Sequence, residues 1–217
     1  MKHAKPLPSY LAKRYAGWRA TQFQENKAWY ARLADEGQRP RAMIISCCDS
    51  RVHVTAIFGA ETGEFFIHRN IANLVPVYTP SKDFHGTSAA IEYAVKYLNV
   101  ANLIVVGHSD CGGVTGCLDM CLGKAPELEE SSSFIGRWMD ILRPGFERIK
   151  DLDISEEERQ TALEKQGVLI SLENLMTFPF IKEAVENDSL SLHGVWNDIR
   201  DGGLEYYNAE AEEFQRV

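Results

Sequence analysis

The sequence predicts an α/β protein. We expect a single domain with a four-stranded, mainly parallel sheet plus an antiparallel edge strand, flanked by helices, with an N-terminal helical arm. Two short apolar runs, residues 43–46 and 103–106, stop abruptly at polar or turn-forming residues, as buried parallel strands do. An alanine-rich helical pattern precedes the second run, and this alternation is typical of a parallel sheet with right-handed crossovers.

The remaining elements follow from local patterns. Five aromatic residues lie within residues 15–30 of the segment 9–35, where irregular helical spacing predicts one or two helices that pack on the protein's own core or on a partner subunit. The predicted strands are residues 41–46, 64–69, 103–106, 190–196 and 204–207, and the last two form a hairpin. The predicted helices are residues 87–98, 112–122, 134–149 and 155–187, the last broken near Pro179.

The 217 residues, 45% of them hydrophobic, are enough for one sizeable core, and no linker-like segment divides them. We therefore predict one domain over residues 1–217. It comprises a helical arm over residues 1–36, a metal-binding core over residues 41–120, and C-terminal helices and edge strands over residues 134–217.

The charge pattern and the cysteines restrict the class of function. The net charge is -8, and basic residues are interspersed with acidic ones, so we expect neither a nucleic-acid partner nor an anionic membrane surface. Apolar runs are short and the first ten residues have no apolar core segment, so we expect no membrane span, no signal peptide and a cytoplasmic location. Five cysteines, two of them adjacent, favour metal binding or catalysis over a disulfide framework.

Metal-binding residue types follow both apolar runs. Cys47 comes after the first run, and His108 and Cys111 come after the second, at the strand ends where open α/β sheets bind ligands. Two thiolates and one imidazole suit zinc, and a fourth position left for water would make the site catalytic. Because neighbouring residues in a strand face opposite ways, only one of Cys47 and Cys48 can serve this site.

Two other features bear on the same chemistry. Asp49 and Arg51 share one face of an extended segment, so they can form a bidentate ion pair beside the metal. The helix that opens at Gly112 places its positive end near Cys111, which favours a thiolate. A competing structural site could use Cys117 and Cys121, although their helical spacing is more typical of a buried helix face.

Cys47-x-Asp49-Ser50-Arg51 together with His108-x-x-Cys111-Gly112-Gly113 resembles the β-class carbonic anhydrases. Three further stretches, residues 66–73, 86–95 and 171–180, are similar to the same family, and the resemblance spans about residues 10–207. It implies one Zn2+ per chain bound by Cys47, His108 and Cys111, with Cys48 as a variable residue and Asp49 and Arg51 in catalytic roles. The implied reaction is the reversible hydration of CO2 to bicarbonate and a proton by zinc-hydroxide attack.

The resemblance is to the plant-like subgroup, whose metal site stays open. It implies a substrate pocket formed by Gln38, Phe66, Ile71, Tyr93, Gly112 and Gly113, part of it supplied by a neighbouring chain. The implied assembly is a homodimer or a larger oligomer such as a tetramer, with CO2 and bicarbonate as its small-molecule partners. Carbonyl sulfide or carbon disulfide is the alternative substrate, since relatives within the family use the same zinc chemistry on them.

The sequence leaves the route of the proton open. Some plant members have a histidine shortly before a Glu-Lys pair in a late helix, whereas Thr161-Ala162-Leu163 precedes Glu164-Lys165 here. His85 and Tyr93 are chemical substitutes for it.

Two other classes of protein remain as rival interpretations. A thiol redox enzyme or phosphatase is disfavoured, because no Cys-x-x-Cys is present and His53 stands where a Cys-x5-Arg motif needs arginine. A non-enzymatic zinc module would have a closed site with four protein ligands.

Overall fold

A computed structural model describes residues 3–81 and 85–217. The chain divides into two compact units, Met1–Arg39 and Pro40–Val217. Among the described residues, no helix is both long enough and apolar enough to cross a membrane.

The first unit contains the predicted helical arm. Its helices are α1 (Ser9–Ala20), α2 (Gln22–Glu25) and α3 (Lys27–Glu36). The rings of Trp18, Phe23 and Tyr30 lie 5.3–5.9 Å apart between centroids, so aromatic residues from all three helices pack on one another. The arm thus has a small aromatic cluster of its own, and its packing on a partner subunit stays a prediction.

A six-stranded sheet forms the centre of the second unit, in the order β2-β1-β3-β4-β5-β6. The pairs among the first four strands of this order are parallel, and the last two pairs are antiparallel. The strands are β1 (Ala42–Cys47), β2 (Phe65–Asn70), β3 (Asn102–His108), β4 (Ser191–Asn197), β5 (Leu204–Asn208) and β6 (Glu213–Arg216).

The single α/β domain, mostly parallel with an antiparallel edge, is confirmed. The sheet has one strand more than predicted. The additional strand, β6, contains a single apolar residue, Phe214, so it has no alternating apolar pattern by which it can be recognised.

Helices cover both faces of this sheet, and two of them depart from the predicted form. The helix predicted over residues 134–149 is split by a 3-10 turn at Asp140–Leu142, and Pro144 lies in the first turn of the second part. The alanine-rich helix continues as a π-helical turn at Tyr93–Tyr97. The helices are α4 (Val54–Ile57), α5 (Gly86–Glu92), α6 (Gly112–Cys121), α7 (Phe134–Met139), α8 (Arg143–Ile149), α9 (Glu156–Leu175) and α10 (Pro179–Glu186).

The core lies on both sides of the parallel strands. Every residue of β1 is buried, and its alternate side chains enter different clusters. Met43 and Ile45 join a cluster that includes Val168 of α9, while Ile44 joins a second cluster with Val106 on the opposite face. Burial on both faces explains why these strands are continuous apolar runs instead of alternating ones.

Helix α9 approaches the sheet closely because β4 has a glycine at the crossing. A Cβ atom on Gly194 would lie 2.8 Å from Cγ1 of Val168 and 2.9 Å from Cδ1 of Leu172. The residue that packs here must therefore be as small as glycine.

We predict that Gly194→Ala lowers the free energy of unfolding by about 1–3 kcal/mol, because the added methyl group overpacks this contact. In a chain of this size, about 1 kcal/mol shifts the thermal midpoint by about 2–4 °C. Gly116→Ala in α6 is the matched control, since its Cβ would meet only Leu128 Cδ1 at 3.6 Å. Thermal unfolding at one protein concentration should show a lower midpoint for Gly194→Ala alone, and equal midpoints would contradict this account.

Candidate metal centre

Parallel pairing places the ends of β1 and β3 side by side. Ser46 pairs with Val106, so Cys47 and His108 follow at the same edge of the sheet. Cys111 lies in the turn between β3 and α6. The ligand atoms of these three residues all lie within 4.8 Å of one another, and all three side chains are buried.

His108 is oriented as a metal ligand by its own backbone turn. Its Nδ1 lies 2.8 Å from the carbonyl oxygen of Ser109, which can only accept, so Nδ1 carries the proton and donates. Nε2 is then left with a lone pair. It is buried and has no hydrogen-bond partner among the described residues. An unpaired buried polar atom is costly, and a metal ion would satisfy it.

The two sulfur atoms also fit zinc. Sγ of Cys47 lies 3.9 Å from Sγ of Cys111. Two thiolates at the usual Zn–S bond length on a tetrahedral ion are about 3.8 Å apart. The spacing and the donor types therefore match a zinc site with three protein ligands.

Hydrogen bonds stabilise negative charge on one of these sulfurs, that of Cys47. A hydrogen bond from the Cys111 thiol, followed by hydrogen bonds from backbone amides, lowers the pKa of Cys47 to about 4. The same contact raises the pKa of Cys111, since a second negative charge nearby is unfavourable. The amide of Asp49 also donates to Cys47 Sγ at 3.4 Å.

Asp49 and Arg51 form the predicted bidentate pair. Nε of Arg51 donates to Oδ1 of Asp49 at 3.0 Å, and Nη2 donates to Oδ2 at 2.7 Å. The Arg51 amide also donates to Oδ1 at 2.9 Å. Hydrogen bonding by the Arg51 side chain holds the pKa of Asp49 well below its usual range, so this carboxylate is ionised at neutral pH.

Arg69 holds the end of β1 at Cys47 and the loop after it that carries Asp49, and the residue-by-residue reasoning missed this role. Its Nε donates to the carbonyl oxygen of Cys47 at 2.8 Å, and Nη2 donates to those of Asp49 at 2.7 Å and Val52 at 2.9 Å. This role could have been inferred from the position of Arg69 near the end of β2, at the same edge of the sheet as the metal group.

Glu164 is a second residue that the sequence reasoning missed. It is buried, and its carboxylate accepts hydrogen bonds from the Cys111 amide at 3.1 Å, Gln160 at 2.9 Å and Trp196 at 3.2 Å. Burial raises the pKa of this carboxyl. In the sequence, Glu164 can be recognised as a charged residue on the apolar face of a long helix, where a buried polar side chain needs hydrogen-bond partners.

The geometry agrees with the comparisons with known proteins. A family model described as carbonic anhydrase matches residues 42–204. The chain is 36% identical over 195 residues to beta carbonic anhydrase 3 of Arabidopsis thaliana, covering 89% of this chain and 74% of that protein. It belongs to the β-carbonic anhydrase family.

Other relatives extend the likeness to structure. Chloroplastic beta carbonic anhydrase 5 of Arabidopsis thaliana is 34% identical over 92% of this chain, which spans 64% of that protein. The β-carbonic anhydrase CcaA matches with a TM-score of 0.86 at 29% identity, over 96% of this chain and 98% of that one. A tetrameric β-carbonic anhydrase of Sordaria macrospora matches with a TM-score of 0.75 at 30% identity, over 93% and 96%.

Members of this family use zinc, and the Cys-His-Cys group of this chain can hold one metal ion. Cys48 is exposed and lines a neighbouring cavity of about 500 Å3, together with Ile71 and Trp138. The opposite environments of Cys47 and Cys48 agree with their alternation along an extended segment.

The other residues predicted for the substrate pocket have different surroundings. Ile71 borders the cavity, but the rings of Phe66 and Tyr93 lie against each other, 5.8 Å apart, and do not line it. Gly113 lies against the Ile71 loop, where a Cβ atom would be 2.7 Å from Cγ2 of Ile71. Gly112 opens α6 next to Cys111. Gln38 belongs to the first unit, so its place in the pocket stays a prediction.

The other cysteines and the suggested proton carriers lie elsewhere. Cys117 is buried on α6 and donates to the carbonyl oxygen of Met139 at 3.6 Å, and burial raises its pKa. Cys117 and Cys121 are therefore outside the metal group. His85 lies on the surface, with Nε2 2.7 Å from Oγ of Ser81, and Tyr93 is also exposed. The shuttle role suggested for either residue stays a prediction.

We predict that Cys47→Ser and His108→Ala each lose most of the bound zinc, because each removes one of three protein ligands. Cys48→Ser is the matched control, since it changes the adjacent thiol and should retain about one zinc per chain. Metal analysis of the purified proteins measures this directly. Zinc loss from Cys48→Ser with retention in Cys47→Ser would show that the ligand assignment is reversed.

Proposed function

We propose that this protein catalyses the zinc-dependent, reversible hydration of CO2 to bicarbonate and a proton, with Cys47, His108 and Cys111 as the metal ligands. The observation that supports it most is the buried Nε2 of His108, which has no described partner and lies beside two sulfurs at zinc spacing. Membership of the β-carbonic anhydrase family supports the substrate and the reaction.

The chemistry divides between the metal and the protein. Bound zinc supplies a Lewis acid that makes a nucleophile of water near neutral pH. Asp49, kept ionised by Arg51, can accept the hydrogen of the attacking oxygen and so turn its lone pair towards CO2. Oδ2 of Asp49 accepts a single hydrogen bond among the described residues, which leaves it a lone pair for this purpose.

We assign the protein to the subgroup in which Asp49 is not a metal ligand. Both carboxylate oxygens of Asp49 are engaged by Arg51, and Arg51 is itself anchored to the carbonyl oxygen of Asp110 at 2.9 Å. Moving Asp49 onto the metal would break this charge-assisted pair, so the pairing supports an open site with a place for water.

We further propose that the protein is a homo-oligomer, at least a dimer, in which a neighbouring chain completes the pocket with Gln38, Phe66 and Tyr93. The exposed rings beside β2 and α5 support this, since Tyr93 and Tyr97 stack 5.5 Å apart on the surface of the chain. The tetrameric Sordaria macrospora relative is consistent with such an assembly.

All five cysteines are free thiols, which supports a reducing compartment such as the cytoplasm.

We predict that the zinc-loaded protein hydrates CO2 and that removal of zinc abolishes the activity. Stopped-flow measurement of proton release, before and after chelation and after zinc is added back, tests this. Full activity of the metal-free protein would contradict the proposal. Carbonyl sulfide hydrolysis, measured in parallel, decides between the two substrates. If kcat/KM is higher for carbonyl sulfide than for CO2, carbonyl sulfide is the main substrate.

We predict that Asp49→Asn and Arg51→Gln each lower kcat/KM for CO2 by about 10–100-fold while zinc content is unchanged, because neither residue is a proposed ligand. Glu147→Gln is the control, since it breaks an exposed ion pair with Lys150 on α8 and should leave activity unaltered. Loss of zinc from either variant of the pair would place that residue among the groups that hold the metal.

A further inference from the structure

The turn of residues 108–111, which carries two of the proposed ligands, is bound along its length by the turn between β4 and β5, residues 198–203. The amide of Ser109 donates to the carbonyl oxygen of Asn197 at 2.9 Å, which continues the pairing of β3 and β4 beyond the end of the strands. Ser109 is buried at this point. This backbone bond fixes the turn of residues 108–111 to the end of β4, from which the second turn continues.

The Ser109 side chain adds a second connection. Its Oγ donates to Oδ1 of Asp198 at 3.0 Å and accepts from the amide of Ile199 at 2.9 Å. Oδ1 of Asp198 also accepts from the amide of Arg200 at 2.9 Å. This network orders the start of the second turn and presents Arg200 to the first.

Asp110 then connects two arginines. Its carboxylate is bound by Arg200 through Nε at 3.0 Å and Nη2 at 3.1 Å, while its carbonyl oxygen accepts from Nη2 of Arg51 at 2.9 Å. That same Nη2 donates to Oδ2 of Asp49 at 2.7 Å. A continuous chain of charge-assisted hydrogen bonds thus runs from Arg200 at the surface to the carboxylate beside the metal group.

The backbone conformation of Asp110 makes its ion pair with Arg200 important for the direction of its carbonyl group. Its φ is +56°, in the left-handed region that few residues other than glycine adopt, although aspartate tolerates it better than most. The direction of the Asp110 carbonyl depends on this conformation being kept. A planar guanidinium bound to both carboxylate oxygens restricts the residue more than a single contact does.

We propose that Arg200 is a positioning residue for the reaction: by holding Asp110, it sets the carbonyl that anchors Arg51 and thereby orients Asp49. The inference rests on the proposed function, because it assigns a role in the same site. Arg200 and Asp110 are exposed, at 66% and 40% of their side-chain areas, so their ion pair contributes little to global stability. Its effect is on the geometry of the catalytic pair.

The first test uses hydrogen exchange to follow the position of Asp49 and does not depend on activity. The Arg51 amide donates to Oδ1 of Asp49, so its hydrogen exchange reports how well that contact is kept. In the zinc-loaded protein, Arg200→Ala should speed exchange in the peptide containing Arg51 by about threefold or more. Arg216→Ala is the matched control, because Arg216 pairs with Asp201 in the same turn at 3.2 Å and touches neither Asp110 nor Arg51. Equal exchange in the two variants overturns the proposal.

The second test is a double-mutant cycle on CO2 hydration. Arg200→Ala should lower kcat/KM about fivefold in the otherwise unaltered protein, with zinc retained, and less than about twofold in an Arg51→Gln background. Arg200→Lys keeps the positive charge but cannot make the bidentate contact of a guanidinium, so it should recover part of the lost kcat/KM. The same reduction in both backgrounds, or loss of zinc, overturns the proposal. If the unaltered protein hydrates no CO2, the proposed function fails, and the exchange test still decides whether Arg200 positions Asp49.

Discussion

Parallel pairing of β1 with β3 is the constraint on which the metal centre depends. It carries Cys47 and His108, distant in sequence, to one edge of the sheet, and the turn into α6 adds Cys111. The pairing is maintained by apolar side chains on both faces, so the position of the centre follows from the core. A rigid sheet edge is well suited to holding a catalytic group, and two of the three proposed ligands, Cys47 and His108, are the last residues of strands.

The polar groups around the centre have different tasks. Ser109 fixes the His108 tautomer, Arg69 holds the loop after β1, and Glu164 holds the amide of Cys111 from the side of α9. Each acts on the backbone or ring of a proposed ligand, as outer groups in metal sites commonly do. Arg51 differs, since it binds Asp49 and thereby keeps a carboxylate ionised beside the metal group.

Much of this arrangement could be predicted from the sequence. The runs at residues 43–46 and 103–106 were recognisable because strands buried on both faces are continuously apolar, and the alternation of Cys47 with Cys48 follows from strand geometry. Local patterns could not predict β6, with its single apolar residue. The break at Asp140–Leu142 did have a local signal, because Pro144 cannot donate to the carbonyl of Asp140 in a continuous helix. The contacts of Arg69, Glu164 and Arg200 depend on pairing between distant segments, and no local pattern records them.

The proposed function depends on one zinc ion held by Cys47, His108 and Cys111 with a fourth position open to solvent. X-ray absorption at the zinc edge of the purified protein tests it most directly. We expect two sulfur neighbours at about 2.3 Å and two lighter neighbours at about 2.0–2.1 Å, one of them the imidazole nitrogen. A third or fourth sulfur neighbour, or a protein that binds no zinc, would contradict it.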